Sequence, residues 1–130
     1  MSRPMYFRFL IVLNLAAALV QWSAITPPAR AHAYPAVSNP GNGATVKEAP
    51  RELRVQFTEA VELAFSQIIV KASNGEIASQ GKLRQLASDM LAIDLKPLSA
   101  GTYTVEWQVL SVDTHVTDGV LRFTVGAPAK

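Results

Sequence analysis

Turn-forming residues recur about every ten positions from residue 32 onward, a spacing that leaves room for short strands and little else. Asn39-Pro40-Gly41-Asn42-Gly43 reads as a loop, Ala49-Pro50 as a break, Asn74-Gly75 as a tight turn and Lys96-Pro97 as a strand stop. Between these marks, apolar and polar residues alternate with the period of two that puts one strand face in a core and the other in water. Leu53, Val55 and Phe57 alternate with Arg54, Gln56 and Thr58, and Leu91, Ile93 and Leu95 with Ala92 and Asp94. Residues 67–71 form another short apolar run, with residues 76–79 as the expected hairpin arm. Leu121, Phe123 and Val125 close the domain after Asp118-Gly119. Residues 59–65 have room for one helical turn, but their flanks read as loop. About seven short strands and no amphipathic helix predict an all-β chain, folded as a β-sandwich or Greek-key β-barrel around one core. Phe57 and Trp107 are expected in that core.

Residues 101–119 carry the chemistry. Tyr103, Val105, Trp107 and Val109 fall on one face of a strand, and Thr104, Glu106 and Gln108 on the other. Asp113 and His115 follow at the parity of the inward set, where an unpaired charge is costly. Side chains at i and i+2 of a strand point the same way, roughly 6–7 Å apart. A carboxylate and an imidazole so placed can converge on one ion. An ordinary Asp–His hydrogen bond at the end of a sheet is the plainer reading of the same residues.

Residues 1–31 read as a secretory signal peptide. Arg3 and Arg8 give a basic start, and an apolar run over residues 9–20 is interrupted only by Asn14. Ala29-Arg30-Ala31 then places small residues at the two positions a signal peptidase reads. An uncleaved anchor is the competing reading, but the run is short for a span, which needs about 20 residues. Cleavage after Ala31 leaves residues 32–130 as one domain, with no second apolar segment and so no stable membrane insertion. Arg3, Arg8 and Arg30 leave with the leader while all ten acidic residues stay, so the formal charge turns from +2 to −1. With no basic stripe and no interleaved aromatic platform, nucleic acid is not an expected partner. The chain has no cysteine, which excludes disulfides and thiolate metal sites.

Cleavage there also makes His32 the first residue, and the chain has only two histidines. An N-terminal histidine offers a metal two donors, its α-amine and its ring. The α-amine has a reference pKa near 8, so a metal displaces its proton readily. With His115 and Asp113 the set becomes three nitrogens and one oxygen. Nitrogen-rich tetragonal sets suit Cu(II), which also heads the affinity order of divalent first-row ions. Zinc competes, but it prefers tetrahedral sites and gains less from an amine chelate.

The same residues resemble the CopC family of periplasmic copper-resistance proteins. The resemblance lies in His32 after the cleavage site, Ser38-Asn-Pro-Gly-Asn-Gly-Ala44, Ala49-Pro50, Val55-Gln-Phe-Thr-Glu59 and Asn74-Gly75. It continues in Leu98-Ser-Ala-Gly-Thr-Tyr-Thr-Val-Glu-Trp107, Ser111-Val-Asp-Thr-His115 and Gly119-Val-Leu-Arg-Phe123, and so covers nearly all of residues 32–130. It implies a small seven-stranded Greek-key barrel or sandwich, cupredoxin-like or immunoglobulin-like. It also implies a Cu(II) site of His32 (amine and ring), Asp113 and His115, with Glu59 as an outer or weak axial neighbour. Many members have Asp-Gly-His-Pro where this chain has Asp113-Thr-His-Val116, a departure that bears on the loop geometry, although Thr114 allows an extended backbone and the Asp-x-His spacing is kept. Phe-Ser-Glu-Pro becomes Phe57-Thr-Glu-Ala60. Some members also hold Cu(I) in a methionine-rich site, whereas Met90 is the lone sulfur after residue 31.

The implied function is to sequester or deliver Cu(II) in the periplasm, as a contribution to copper resistance and homeostasis, by chelation and not by catalysis. An inner-membrane copper transporter or another periplasmic copper protein is the implied partner. Two other classes stay open on the residues alone. One is a copper-brace oxidative enzyme, disfavoured by the short chain and its few aromatics. The other is a metal-free immunoglobulin-like interaction module.

Overall fold

The computed structural model describes residues 32–126, which form two four-stranded sheets packed face to face. In chain order the strands are β1 (Pro35–Asn39), β2 (Thr45–Val46), β3 (Glu52–Phe57), β4 (Gln67–Ala72), β5 (Ser79–Ala87), β6 (Met90–Leu95), β7 (Gly101–Leu110) and β8 (Val116–Val125). One 3₁₀ turn, Leu63–Phe65, precedes β4. The first sheet runs β1-β3-β6-β5 and the second β2-β8-β7-β4. Neighbours are antiparallel except β2, which runs parallel to β8. This is the immunoglobulin order, with the first strand split so that β1 edges one sheet and β2 the other. The two expected architectures are thus decided for an immunoglobulin-like sandwich, and the eighth strand is the two-residue β2. The predicted leader lies outside the described residues, among which no helix is long and apolar enough to cross a membrane.

The alternating strands fill the space between the sheets as their periodicity requires. Leu53, Val55 and Phe57 of β3 face Val105, Trp107 and Val109 of β7, and all of them are buried. Trp107 meets Phe57 edge-on, with ring centroids 5.7 Å apart. Near the start of β7 the Tyr103 hydroxyl donates to the carbonyl of Ser99 at 2.7 Å, the corner bond typical of this sandwich.

Two local expectations are corrected. The hairpin arm expected over residues 76–79 forms only as a stub, in which Ala72 N–H donates to Glu76 O at 2.8 Å. A single bridge joins Lys71 to Ile77, Ala78 N–H donates to Val70 O, and the chain then crosses to the other sheet, where Ser79 pairs with Leu95. The strand that follows, β5, is mostly exposed on both faces, so it shows no alternation for a sequence pattern to register. Asp118-Gly119 does not precede the closing strand but lies within it, in β8, where Gly119 pairs with Trp107. A Cβ added there would lie 2.8 Å from Trp107 Cζ2, so the glycine supplies the space the indole occupies. Gly119→Ala should therefore lower stability by about 1–3 kcal/mol in denaturant unfolding, and Trp107→Phe added to it should restore part of the loss. A Gly119→Ala protein as stable as its parent would refute the tight fit.

Candidate metal centre

The segment ahead of β1 is fastened from both sheets. Thr58, just past β3, donates through Oγ1 to the His32 carbonyl and accepts from Tyr34 N–H, both at 3.0 Å. Thr58 N–H also donates to Tyr34 O at 2.8 Å. From β8, Thr117 Oγ1 donates to the carbonyl of Ala33, whose side chain is fully buried. Held this way, the His32 ring meets the His115 ring edge-on, with centroids 4.8 Å apart. The Tyr34 ring also meets the His32 ring edge-on, with centroids 6.3 Å apart. His32 Nδ1 is buried and, among the described residues, has no hydrogen-bond partner. Such an atom is costly to leave unpaired.

Asp113 and His115 do not continue the strand, as their parity had predicted. β7 ends at Leu110, Ser111 is bridged to Val61, and residues 112–115 turn back into β8. Ser111 N–H donates to His115 O, and Thr114 N–H to Ser111 O, both at 2.9 Å. Asp113 Oδ1 accepts from His115 N–H at 3.2 Å, which is an Asx turn, and from the buried hydroxyl of Ser111. The same oxygen lies 3.2 Å from His115 Nδ1. The Ser111 hydroxyl holds the Asp113 carboxyl below its ordinary range against the smaller opposing effect of burial, and the His115 backbone N–H adds to the lowering. The ionised Asp113 thus lies against the Nδ1 side of the His115 ring, and Nε2 is the nitrogen with no carboxylate beside it.

Thr114 does not take the extended backbone that its residue type allows. Its φ is +72°, in the left-handed region that a β-branched residue rarely adopts. With Thr114 in that conformation, the His115 N–H and ring Nδ1 both lie 3.2 Å from the Asp113 Oδ1. Here a glycine would be unstrained, which gives the Asp-Gly-His pattern of the resembling family a physical reason.

The predicted ligands are therefore brought together as a His32–His115 pair, with Asp113 beside the His115 ring. Among the described residues no side-chain hydrogen bond or ion pair ties Glu59 to them, and no group of three or more His, Cys, Asp or Glu side chains is placed to hold a metal. Side chains alone fall short of a full ligand set. The sequence reading missed Thr58, Ser111 and Thr117. Ser111 carries a local signal, a hydroxyl two residues before a turn carboxylate. Thr58 and Thr117 carry none, because their partners are far away in the chain.

Fold and site together define a small β-sandwich with an imidazole pair at one end. The chain belongs to the CopC family of copper-resistance proteins, whose CopC domain model matches residues 36–126, a stretch beginning just after His32. It is 35% identical over 119 residues to protein YobA of Escherichia coli K12, covering 87% of this chain and 94% of that one. Copper transport protein CutJ of Bacillus subtilis is 34% identical over 99 residues, which are 74% of this chain but 18% of CutJ. The crystal structure of CopC from Methylosinus trichosporium OB3b superposes with a TM-score of 0.70 at 28% identity, covering 76% of this chain and 98% of that one.

The strain at Thr114 is open to measurement. A left-handed L-residue costs about 1–2 kcal/mol, and glycine returns part of that as about 0.5–1 kcal/mol of extra backbone entropy. Thr114→Gly should thus raise Tm slightly, whereas Thr114→Pro, with φ held near −65°, should lower it sharply. A Thr114→Gly protein that melts below its parent would contradict the strained turn.

Proposed function

We propose that the chain, once exported and cleaved after Ala31, binds one Cu(II) at this end of the sandwich and sequesters it or hands it on in the periplasm. The donors are the α-amine and Nδ1 of His32, Nε2 of His115, and Asp113 through its second carboxylate oxygen. The observation that carries this reading is His32 Nδ1, buried beside His115 and, among the described residues, without a partner. Nδ1 is also the ring nitrogen near enough to its own main-chain nitrogen to close a chelate with it. The shortage of side-chain donors points the same way, since a main-chain amine makes up the set. Nitrogen-rich donors favour Cu(II) over zinc. Met90 alone provides no soft cage for Cu(I). The role is chelation, with no catalytic step assigned to any residue. A membrane copper transporter is the favoured recipient, because a domain like this one forms a small part of the copper transport protein CutJ.

Placing one glycine ahead of His32 tests the amine. The fold should be indifferent, since termini tolerate extension where no core contact is lost. The amine becomes an amide, the two-point chelate is lost, and Cu(II) affinity should fall by roughly two or more powers of ten, at about 1.4 kcal/mol for each. The paramagnetic resonance spectrum should show fewer equatorial nitrogens or a deprotonated amide. Equal affinity with an identical spectrum would remove the amine from the site.

His115→Ala probes the other half. Its ring is exposed and fills no core, so the far-ultraviolet circular dichroism of the sheets should persist while tight Cu(II) binding disappears. Retained affinity in that variant would mean that His115 is not a ligand.

A further inference from the structure

Charge along the sandwich is sorted by end. The ladders pair Phe57 with Pro35, Gln56 with Met90, Gln67 with Gln108 and Leu110 with Val116, so residues 32–34, 58–66, 88–89 and 110–118 gather at the end that holds His32 and His115. Glu59, Glu62, Asp89, Asp113 and Asp118 lie there, and no lysine or arginine of the described residues does. The guanidinium groups of Arg54 and Arg84 are turned to Glu52 near the opposite end, and Lys71 pairs with Glu106 part-way along.

Exposed apolar side chains gather at the same end. Tyr34, Phe65, Val112 and Val116 are each more than half exposed. They sit on neighbouring backbone: Val112 N–H donates to Ala60 O, and Val116 pairs with Leu110, whose N–H reaches the hydroxyl of Ser66 beside Phe65. Nothing in the packing of the sandwich accounts for a group of apolar side chains in water among carboxylates. An apolar patch rimmed by polar groups is the usual form of a docking surface.

The charges select the occupant. A second copy would set carboxylates against carboxylates, and an anionic membrane or a nucleic acid would be repelled in the same way. We propose that this end is a docking face for a partner protein whose own contact surface is basic and apolar. The carboxylates steer the encounter, and Tyr34, Phe65, Val112 and Val116 make the contact. That copper passes across the face rests on the function proposed above; the docking itself does not require the metal.

The test uses copper-free, isotope-labelled protein purified after export and two synthetic amphipathic peptides without metal donors, one of alternating Lys and Leu, the other of Glu and Leu. The Lys-Leu peptide should shift backbone resonances of residues 32–34, 58–66 and 110–118, and the Glu-Leu peptide should not. Its Kd should rise roughly tenfold between about 0.01 and 0.1 M salt as the Debye length shortens from about 30 to 10 Å. Glu62→Gln with Asp118→Asn should weaken it several-fold at low salt without changing Tm. Phe65→Ser with Val112→Ser should weaken it at both salt concentrations. Equal binding of the two peptides, shifts centred on the opposite end, or a copper-free protein that sediments as a dimer through this face would overturn the proposal. Failure of the protein to bind Cu(II), with Lys-Leu docking intact, would strike the copper reading and leave the docking face standing.

Discussion

Every strand of a sandwich ends with backbone groups that have lost their ladder partners, and buried groups of that kind must be paired. At the histidine end three hydroxyls supply the pairing. Thr58 and Thr117 hold the main chain of residues 32–34 from opposite sheets, and Ser111 closes the turn that carries Asp113 and His115. The position of each imidazole is thus a by-product of satisfying the backbone beside it. No bond between the two histidines is needed to bring them together, and none is present. What links them is the rigidity of two sheets locked by Phe57 and Trp107.

This division explains how far the sequence could be read. Strands with one wet and one buried face, such as β3 and β7, announce themselves by alternation. β5 does not, because both of its faces see water. Asp118-Gly119 misleads because glycine serves two purposes: it permits turns, and it makes room. Only the neighbour, Trp107, shows which purpose applies. The spacing of Asp113 and His115 was legible, but its conformation was not. An Asp-x-His pair along a strand and one across an Asx turn have the same spelling, and the choice between them lies in the Ser111 hydroxyl and the φ of Thr114. The approach of His32 to His115 could be inferred only from chemistry, since nothing local in either segment encodes it.

Immunoglobulin-type sandwiches commonly bear their specific groups on the loops at one end. Here that end combines loop residues with the segment that enters the first strand, so the site draws on parts of the chain that come together only once both sheets have formed. Its rigidity is uneven. His32 is fixed through its own main chain, whereas His115 is fixed through a carboxylate on a strained turn. The histidine side of the pair that can most easily shift is therefore the turn.

The split first strand has a mechanical side. The described chain enters at the histidine end and leaves at the other, so tension between its ends runs along the strands. Antiparallel neighbours joined by a short turn peel apart one hydrogen bond at a time. β2 and β8 run parallel, and their bonds, with Gly43 N–H to Arg122 O, Thr124 N–H to Ala44 O and Gly126 N–H to Val46 O, are loaded together in shear. The smallest strand of the sandwich is accordingly the latch that a pulling force must break, and the histidine end lies on the far side of it from the C-terminal grip.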